Sequence, residues 1–252
     1  MAIKIFKKDN QANGNFNGGE ILEKKPIGFP QDGGKLRPYS NLFYWAHAWA
    51  PKNDSIIGLH PHRGFEICSF IIKGEIEHYD TLLDKWITLK EGDVQVIKAG
   101  KGISHSEKLK KNSEIFQIWF DPNLHESLYE EASYSDYKSE IFSIKKQDGK
   151  ETKIISDINN QIGLKSDSIQ IYQHSFTKGI YSHEISQDRF HSIFIQHGIL
   201  KINDKTYNSG DFLLVDSEVL LNIEIMSDTK VFEIISLIEL PYKTYAEMHN
   251  II

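Results

Sequence analysis

The chain has a single cysteine, Cys68, in 252 residues, which excludes an intrachain disulfide and suits a reducing compartment. No apolar run approaches the ~18 residues that a membrane-spanning helix requires. The opening Met1-Ala2-Ile3-Lys4-Ile5-Phe6-Lys7-Lys8 lacks a continuous apolar stretch and does not read as a secretory signal. A basic tract is also missing: 29 Lys and Arg stand against 35 Asp and Glu, a net charge of −6, so no nucleic-acid footprint is visible. What is present is an ordinary globular composition, 40% hydrophobic and 25% charged, long enough for one large or two ordinary domains. A soluble cytoplasmic protein is expected, with neither nucleic acid nor membrane as a direct partner. Cys68 lies among Ile67, Phe70 and Ile71 and reads as a buried packing residue.

Helical periodicity is scarce as well. After a weak strand near 3–7 and a Gly/Asn/Pro-rich stretch over 10–40, Asn41–Trp49 is dense in β-favouring aromatics. From 56 to 120 short apolar runs alternate with turn signals such as Lys73-Gly74, Glu91-Gly92-Asp93 and Gly100-Lys101-Gly102. This spacing predicts an all-β sandwich or barrel. Residues 1–125 form the expected first domain, 126–140 an acidic solvated linker with one helical turn, and 141–252 a second domain of short strands ending in a short helix at 242–249.

The second domain echoes the first. Ile195–Lys201 parallels Ile71–Glu77, and Gly210–Val215 parallels Gly92–Ile97, which two copies of one β-fold would explain. Aligned on these glycines, Ile223 and Ile225 fall at the positions of His105 and Glu107, and Glu184 and Ser186 at those of His60 and His62; a slip of one or two would bring in His183 or His191. The second copy is therefore expected to be metal-free, with an apolar interior.

Two stretches of the first domain carry chemistry, His60-Pro61-His62 and His105-Ser106-Glu107. Each sets two metal-type side chains at i and i+2, on one face of a strand and roughly 6.5–7 Å apart. Facing one cavity, they would bring three imidazoles and a carboxylate together, a donor set for iron, copper, nickel or manganese with positions left open. The alternative is scattered surface histidines, in a chain that has 11 of them.

Gly58–Glu66, Gly92-Asp93-Val94-Gln95, Ala99–Glu107 and Phe116-Gln117-Ile118-Trp119 together resemble the pirin family of the cupin superfamily, over about residues 40–122. The resemblance implies two tandem jelly-roll-type cupin barrels, the N-terminal one metal-binding and the C-terminal one degenerate. It implies one divalent transition metal, foremost Fe(II), with Zn, Cu, Ni or Mn as ions that could load instead, held by His60, His62, His105 and Glu107. It implies a quercetin 2,3-dioxygenase-like activity on a flavonol-like aromatic enol and O2. The alternative is a metal-dependent regulatory or redox-sensing protein without turnover, with a protein partner still to be identified. Val96 departs from the family pattern, which often has Trp there, and the second domain is short.

Two carboxylates are candidates for proton transfer, Glu107 and Glu66. Glu66 shares the parity of His60 and His62, and ordinary cupins use a glutamate three or four residues beyond H-x-H as a ligand. A bulge at Gly64 would break that parity, leaving Glu66 as an orienting group or an exposed strand carboxylate. His47 reads as a packing residue, Arg63 as an anion partner or a salt-bridge member, and Phe43, Trp45 and Trp49 as core or barrel mouth. His78, His125, His174, His197 and His249 have no partner at ligand spacing and are assigned no chemistry.

Overall fold

The computed structural model describes residues 3–216 and 220–251; Met1 and Ala2, part of the start read against a secretory signal, lie outside the described residues. The chain forms two all-β units.

The first unit comprises Gln11–Ile141, Leu164–Ser166 and Pro241–Ile252. Its strands are β2 (Ala12–Phe16), β3 (Ile21–Ile27), β4 (Leu42–Trp49), β5 (Ser55–His62), β6 (Glu66–Lys73), β7 (Glu75–Asp80), β8 (Trp86–Lys90), β9 (Val94–Lys98), β10 (Ile103–Leu109), β11 (Glu114–Phe120) and β12 (Ser133–Tyr137). One-turn helices α1 (Leu124–Ser127) and α2 (Tyr245–Met248) complete it. A seven-stranded sheet, β12-β9-β6-β11-β4-β3-β2, and a four-stranded sheet, β5-β10-β7-β8, supply the two walls of the expected barrel. Strand β6 lies in the interior of the larger sheet and has neighbours on both edges, so Glu66 to Ile71 are buried in an unbroken run. Ile71, Ile76, Leu89, Leu109 and Ile115 close one end of the lumen from both sheets.

The second unit takes Met1–Asn10, Phe142–Gly163 and Asp167–Leu240. Its strands are β1 (Ile3–Phe6), β13 (Ile144–Gln147), β14 (Lys150–Ser156), β15 (Gln170–Phe176), β16 (Gly179–Glu184), β17 (Arg189–His197), β18 (Ile199–Ile202), β19 (Lys205–Asn208), β20 (Phe212–Val215), β21 (Leu220–Ile225) and β22 (Thr229–Leu237). They make a seven-stranded sheet, β1-β20-β17-β22-β15-β14-β13, and a four-stranded sheet, β16-β21-β18-β19. On β21 the burial alternates strictly, exposed Leu220, Asn222 and Glu224 against buried Leu221, Ile223 and Ile225, as a sheet wet on one face requires.

The edges differ from the expected division of the chain. The segment 126–140, read as a solvated linker, contributes β12, which pairs with β9 from Ser133↔Lys98 to Tyr137↔Val94. Its acidic surface concealed an edge strand of alternating Ser and Tyr. The N-terminal β1 pairs with β20 and so belongs to the second unit.

The echoed Gly-Asp dipeptides explain both edge strands. Asp93 accepts from Lys90 N, and from Ser139 N and Lys138 Nζ just beyond β12. Asp211 accepts from Asn208 N, and from Lys8 N and Lys7 Nζ just beyond β1. Each aspartate, 4% exposed, ties a turn to the end of the edge strand of its own sheet. Replacing either with alanine leaves two backbone N–H groups without their acceptor. Asp93→Ala and Asp211→Ala are each expected to cost about 2–3 kcal/mol in denaturant unfolding; a loss under about 0.5 kcal/mol would show these ties to be dispensable.

Candidate metal centre

The β5–β10 ladder sets the centre. His60 pairs with His105 and His62 with Ile103, with a register shift between His105 and Glu107. Across it, His105 Nε2 lies 2.9 Å from His62 Nε2 and 2.9 Å from His60 Nε2. Three ring nitrogens thus meet at one point, all within 4.8 Å of one another.

The protons on these rings make the arrangement informative. His60 Nδ1 lies 2.8 Å from the Gly58 carbonyl oxygen, a bond that places the proton on Nδ1 and turns the lone pair of Nε2 to the centre. An imidazole nitrogen has one in-plane site, so His105 Nε2 cannot form good hydrogen bonds to both of its neighbours. His105 Nδ1 is buried with no hydrogen-bond partner. Burial, then the neighbouring His105 and His60, push the His62 pKa down to about 3. Burial, then His60 and His78, do the same for His105, also to about 3. Neutral imidazoles with converging lone pairs fit a cation between them.

Glu107, fully buried, is not grouped with His60 and His62 but adjoins through His105: one of its oxygens forms a second cluster within 4.8 Å with His105 and His78. Ser69 Oγ donates to its Oε1 at 2.9 Å and Gln117 Nε2 to its Oε2 at 2.6 Å. Trp119 Nε1 donates to Gln117 Oε1, which orients the amide, and the Trp119 ring meets His62 edge-on at 4.8 Å between centroids. His78 was assigned no chemistry from sequence, yet it stands in this shell. Gln95 Nε2 donates to His78 Nδ1 at 3.0 Å, so the proton sits on His78 Nε2, 2.8 Å from Asp80 Oδ2. Both ring nitrogens are engaged, which makes His78 a supporting group. The i, i+2 pair His78 and Asp80 on β7 was the signal that could have found it.

Glu66 is the correction. Gly64, at φ +82°, turns the chain between β5 and β6, so the parity count from His62 does not cross it. A side chain at Gly64 would also meet Leu124 and Leu128. The Glu66 carboxylate accepts from Lys165 N, Ser166 N and Ser166 Oγ at 2.7, 2.8 and 2.6 Å. Among the described residues no donor cluster includes it. It is a buried structural anchor rather than a ligand or a base. His47 packs against Phe116 and reaches Glu114, as a packing residue should. Phe43 joins Phe29, Tyr44, Phe65, Trp119 and Tyr245 in an aromatic cluster, and Trp45 is wholly buried beside Phe116. Arg63 lines a mouth of about 480 Å³ with His62, Thr81, Lys101 and Ser104.

Glu107→Gln is expected to weaken divalent-metal binding at least about tenfold by equilibrium dialysis, whereas Glu66→Gln should leave it unchanged and lower stability by about 1–3 kcal/mol. The reverse pattern would exchange the two carboxylates. His62 and His105 protonate near 6.5 when unfolded and only near 3 when folded. The stability they contribute is therefore present above pH 6.5 and drains away as pH falls from there towards 3. Metal-stripped protein should lose stability across that window more steeply than a His62→Gln/His105→Gln variant; parallel curves would contradict the shifts.

Comparison with known proteins bears on the fold and on the family. The Pirin family model matches residues 33–120. A Zymomonas mobilis protein named as a candidate quercetin 2,3-dioxygenase is 26% identical over 235 residues, 79% of this chain and 97% of its own. The quercetin 2,3-dioxygenase of Escherichia coli K12 is 27% identical over 189 residues, 71% of this chain and 78% of its own. Among solved structures, the nickel(II) complex of the bacterial pirin YhhW from Escherichia coli superposes with a TM-score of 0.74 at 22% identity, over 94% of this chain and 99% of that one. Over residues 33–120, the stretch that holds the centre, the chain matches the pirin family, and its two units have the two-barrel fold of a bicupin.

Proposed function

We propose that the chain is a metal-dependent dioxygenase of the pirin type, loaded with Fe(II), which acts on a flavonol-like aromatic enol such as quercetin. The observation that carries this reading is the meeting of three imidazole nitrogens beside a buried carboxylate, next to an open mouth at His62. That mouth, about 480 Å³, is within the usual range for a small-molecule pocket. The names of the relatives supply the substrate class.

His60, His62, His105 and Glu107 would hold the ion. When bound, the cation supplies the charge that lowers the pKa of a substrate hydroxyl and favours the electron-rich enolate. Everything else falls to the chain. Trp119 walls the side of His62 and excludes water from it. Glu107 is the carboxylate beside the imidazoles that would accept the hydroxyl proton; Ser69 and Gln117 fix its position. Arg63, on the rim, offers a positive charge to the anionic form of the substrate. Glu66 takes no part, since its oxygens are bound to residues 165 and 166.

The test is aerobic incubation of protein reloaded with Fe(II), Ni(II), Co(II), Mn(II) or Cu(II) with quercetin, following loss of its visible absorbance with oxygen uptake. Turnover that needs the metal and falls to the metal-free background in His62→Ala is expected. Turnover unchanged in His62→Ala would overturn the reading.

A further inference from the structure

The lumen of the C-terminal barrel is not wholly apolar. His174 on β15, His183 on β16, His191 on β17 and Glu233 on β22 meet inside it. The strand ladders locate them against the first barrel. Glu233 pairs with Ile193 as Gln117 pairs with Ser69, so Glu233 occupies the place of the amide that donates to Glu107. His183 pairs with Leu221 as His62 pairs with Ile103. Ile225 lies 15 residues after Gly210, as Glu107 lies 15 after Gly92. The carboxylate has therefore changed walls, from the four-stranded sheet to the seven-stranded one, and a new set of imidazoles surrounds it.

From these positions we infer a second metal site, independent of the first: a divalent first-row transition cation held by His174 Nε2, His183 Nε2 and Glu233, with His191 orienting the carboxylate. The three donors lie within 4.8 Å of one another. Two imidazoles and a carboxylate suit ions such as Zn(II) or Co(II), with a further position open to water. Two of the three donors, Glu233 and His174, have a supporting partner. Ser186 N donates to His191 Nε2, which leaves the proton on His191 Nδ1, 2.7 Å from Glu233 Oε1. Thr152 Oγ1 lies 2.9 Å from His174 Nδ1, able to accept its proton and so to free Nε2 as a ligand. His174 Nε2 and His183 Nε2 each lie 2.9 Å from a Glu233 oxygen, and spreading by a few tenths of an ångström would admit an ion.

The space beside the donors selects the size of the occupant. His174, His183 and Glu233 border a cavity of about 20 Å³ whose remaining walls are Phe176, Ile193, Ile223 and other apolar side chains. That is room for about one water molecule, too little for an organic ligand. A buried carboxylate with three ring nitrogens at hydrogen-bond distance is a place that a small cation can enter.

The experiment uses the full chain, stripped with chelator, reloaded with Co(II) or Zn(II), and desalted before metal analysis. Wild type should hold two equivalents. A His60→Ala/His105→Ala variant should retain one, with a visible Co(II) absorption band. Adding Glu233→Gln or, separately, His183→Ala should remove that equivalent or weaken it at least about 100-fold. His191→Gln should weaken it about 10–100-fold while the Co(II) band persists. His183 gives up one contact near the lumen edge, so its variant keeps the test valid if Glu233→Gln fails to fold. No metal in the His60→Ala/His105→Ala variant, or an equivalent that survives both Glu233→Gln and His183→Ala, would overturn the inference.

Discussion

Inside the first barrel His105 Nε2 stands 2.9 Å from the Nε2 atoms of both His60 and His62, and the reading of the first unit depends on that convergence. Neutral imidazoles brought this close cannot all be satisfied by one another, because each nitrogen offers either one proton or one lone pair. The ladder between β5 and β10 imposes the approach, the Gly58 carbonyl sets the tautomer of His60, and the Trp119 ring packs edge-on against His62. The Ser69 and Gln117 bonds then hold a carboxylate beside them. Backbone geometry built by hydrophobic burial has created a place where a cation would resolve an otherwise unfavourable contact.

The two barrels show how one scaffold can carry different polar interiors. The Gly-Asp turns, the edge strands tied to Asp93 and Asp211, and the order of strands recur in both. The lumen does not. Where the first barrel has His105 and Glu107 on one wall, the second has Ile223 and Ile225, and its carboxylate, Glu233, stands on the facing wall. In the sense of the first ligand set the second barrel is degenerate, while its interior polarity comes from a different choice of residues.

Much of this was legible in the sequence. Strand positions followed from alternating and continuous apolar runs bounded by glycine turns; period-two geometry put the two members of H-P-H, and of H-x-E, on one face each, while the meeting of the two stretches was what the pirin resemblance implied. Two kinds of error have physical causes. Parity fails across a left-handed glycine: the break at Gly64 that the sequence reading allowed for is present, and Glu66, kept as a candidate on that parity, does not join the imidazoles. Counting from a glycine fails across an insertion: His62 lies 12 residues before Gly74, but His183, its counterpart in the ladder, lies 15 before Gly198. The allowance of one or two did bring in His183, but at the place of His60; as the counterpart of His62 it is a slip of three. His174 and Glu233 could not have been found this way at all, because they stand on strands that carry no polar ligand in the first barrel. The strand β12 was hidden by the acidic surface of its segment, where an edge strand with one wet face resembles a linker.

The central claim is that a single cation sits among His60, His62 and His105 with Glu107 beside it. Anomalous diffraction at the absorption edge of the loaded metal tests it most directly. A peak about 2.0–2.2 Å from the three Nε2 atoms, within reach of the Glu107 carboxylate, is the predicted result. A map of the fully loaded protein with no peak between those imidazoles, or one bound only to surface side chains, would contradict the account.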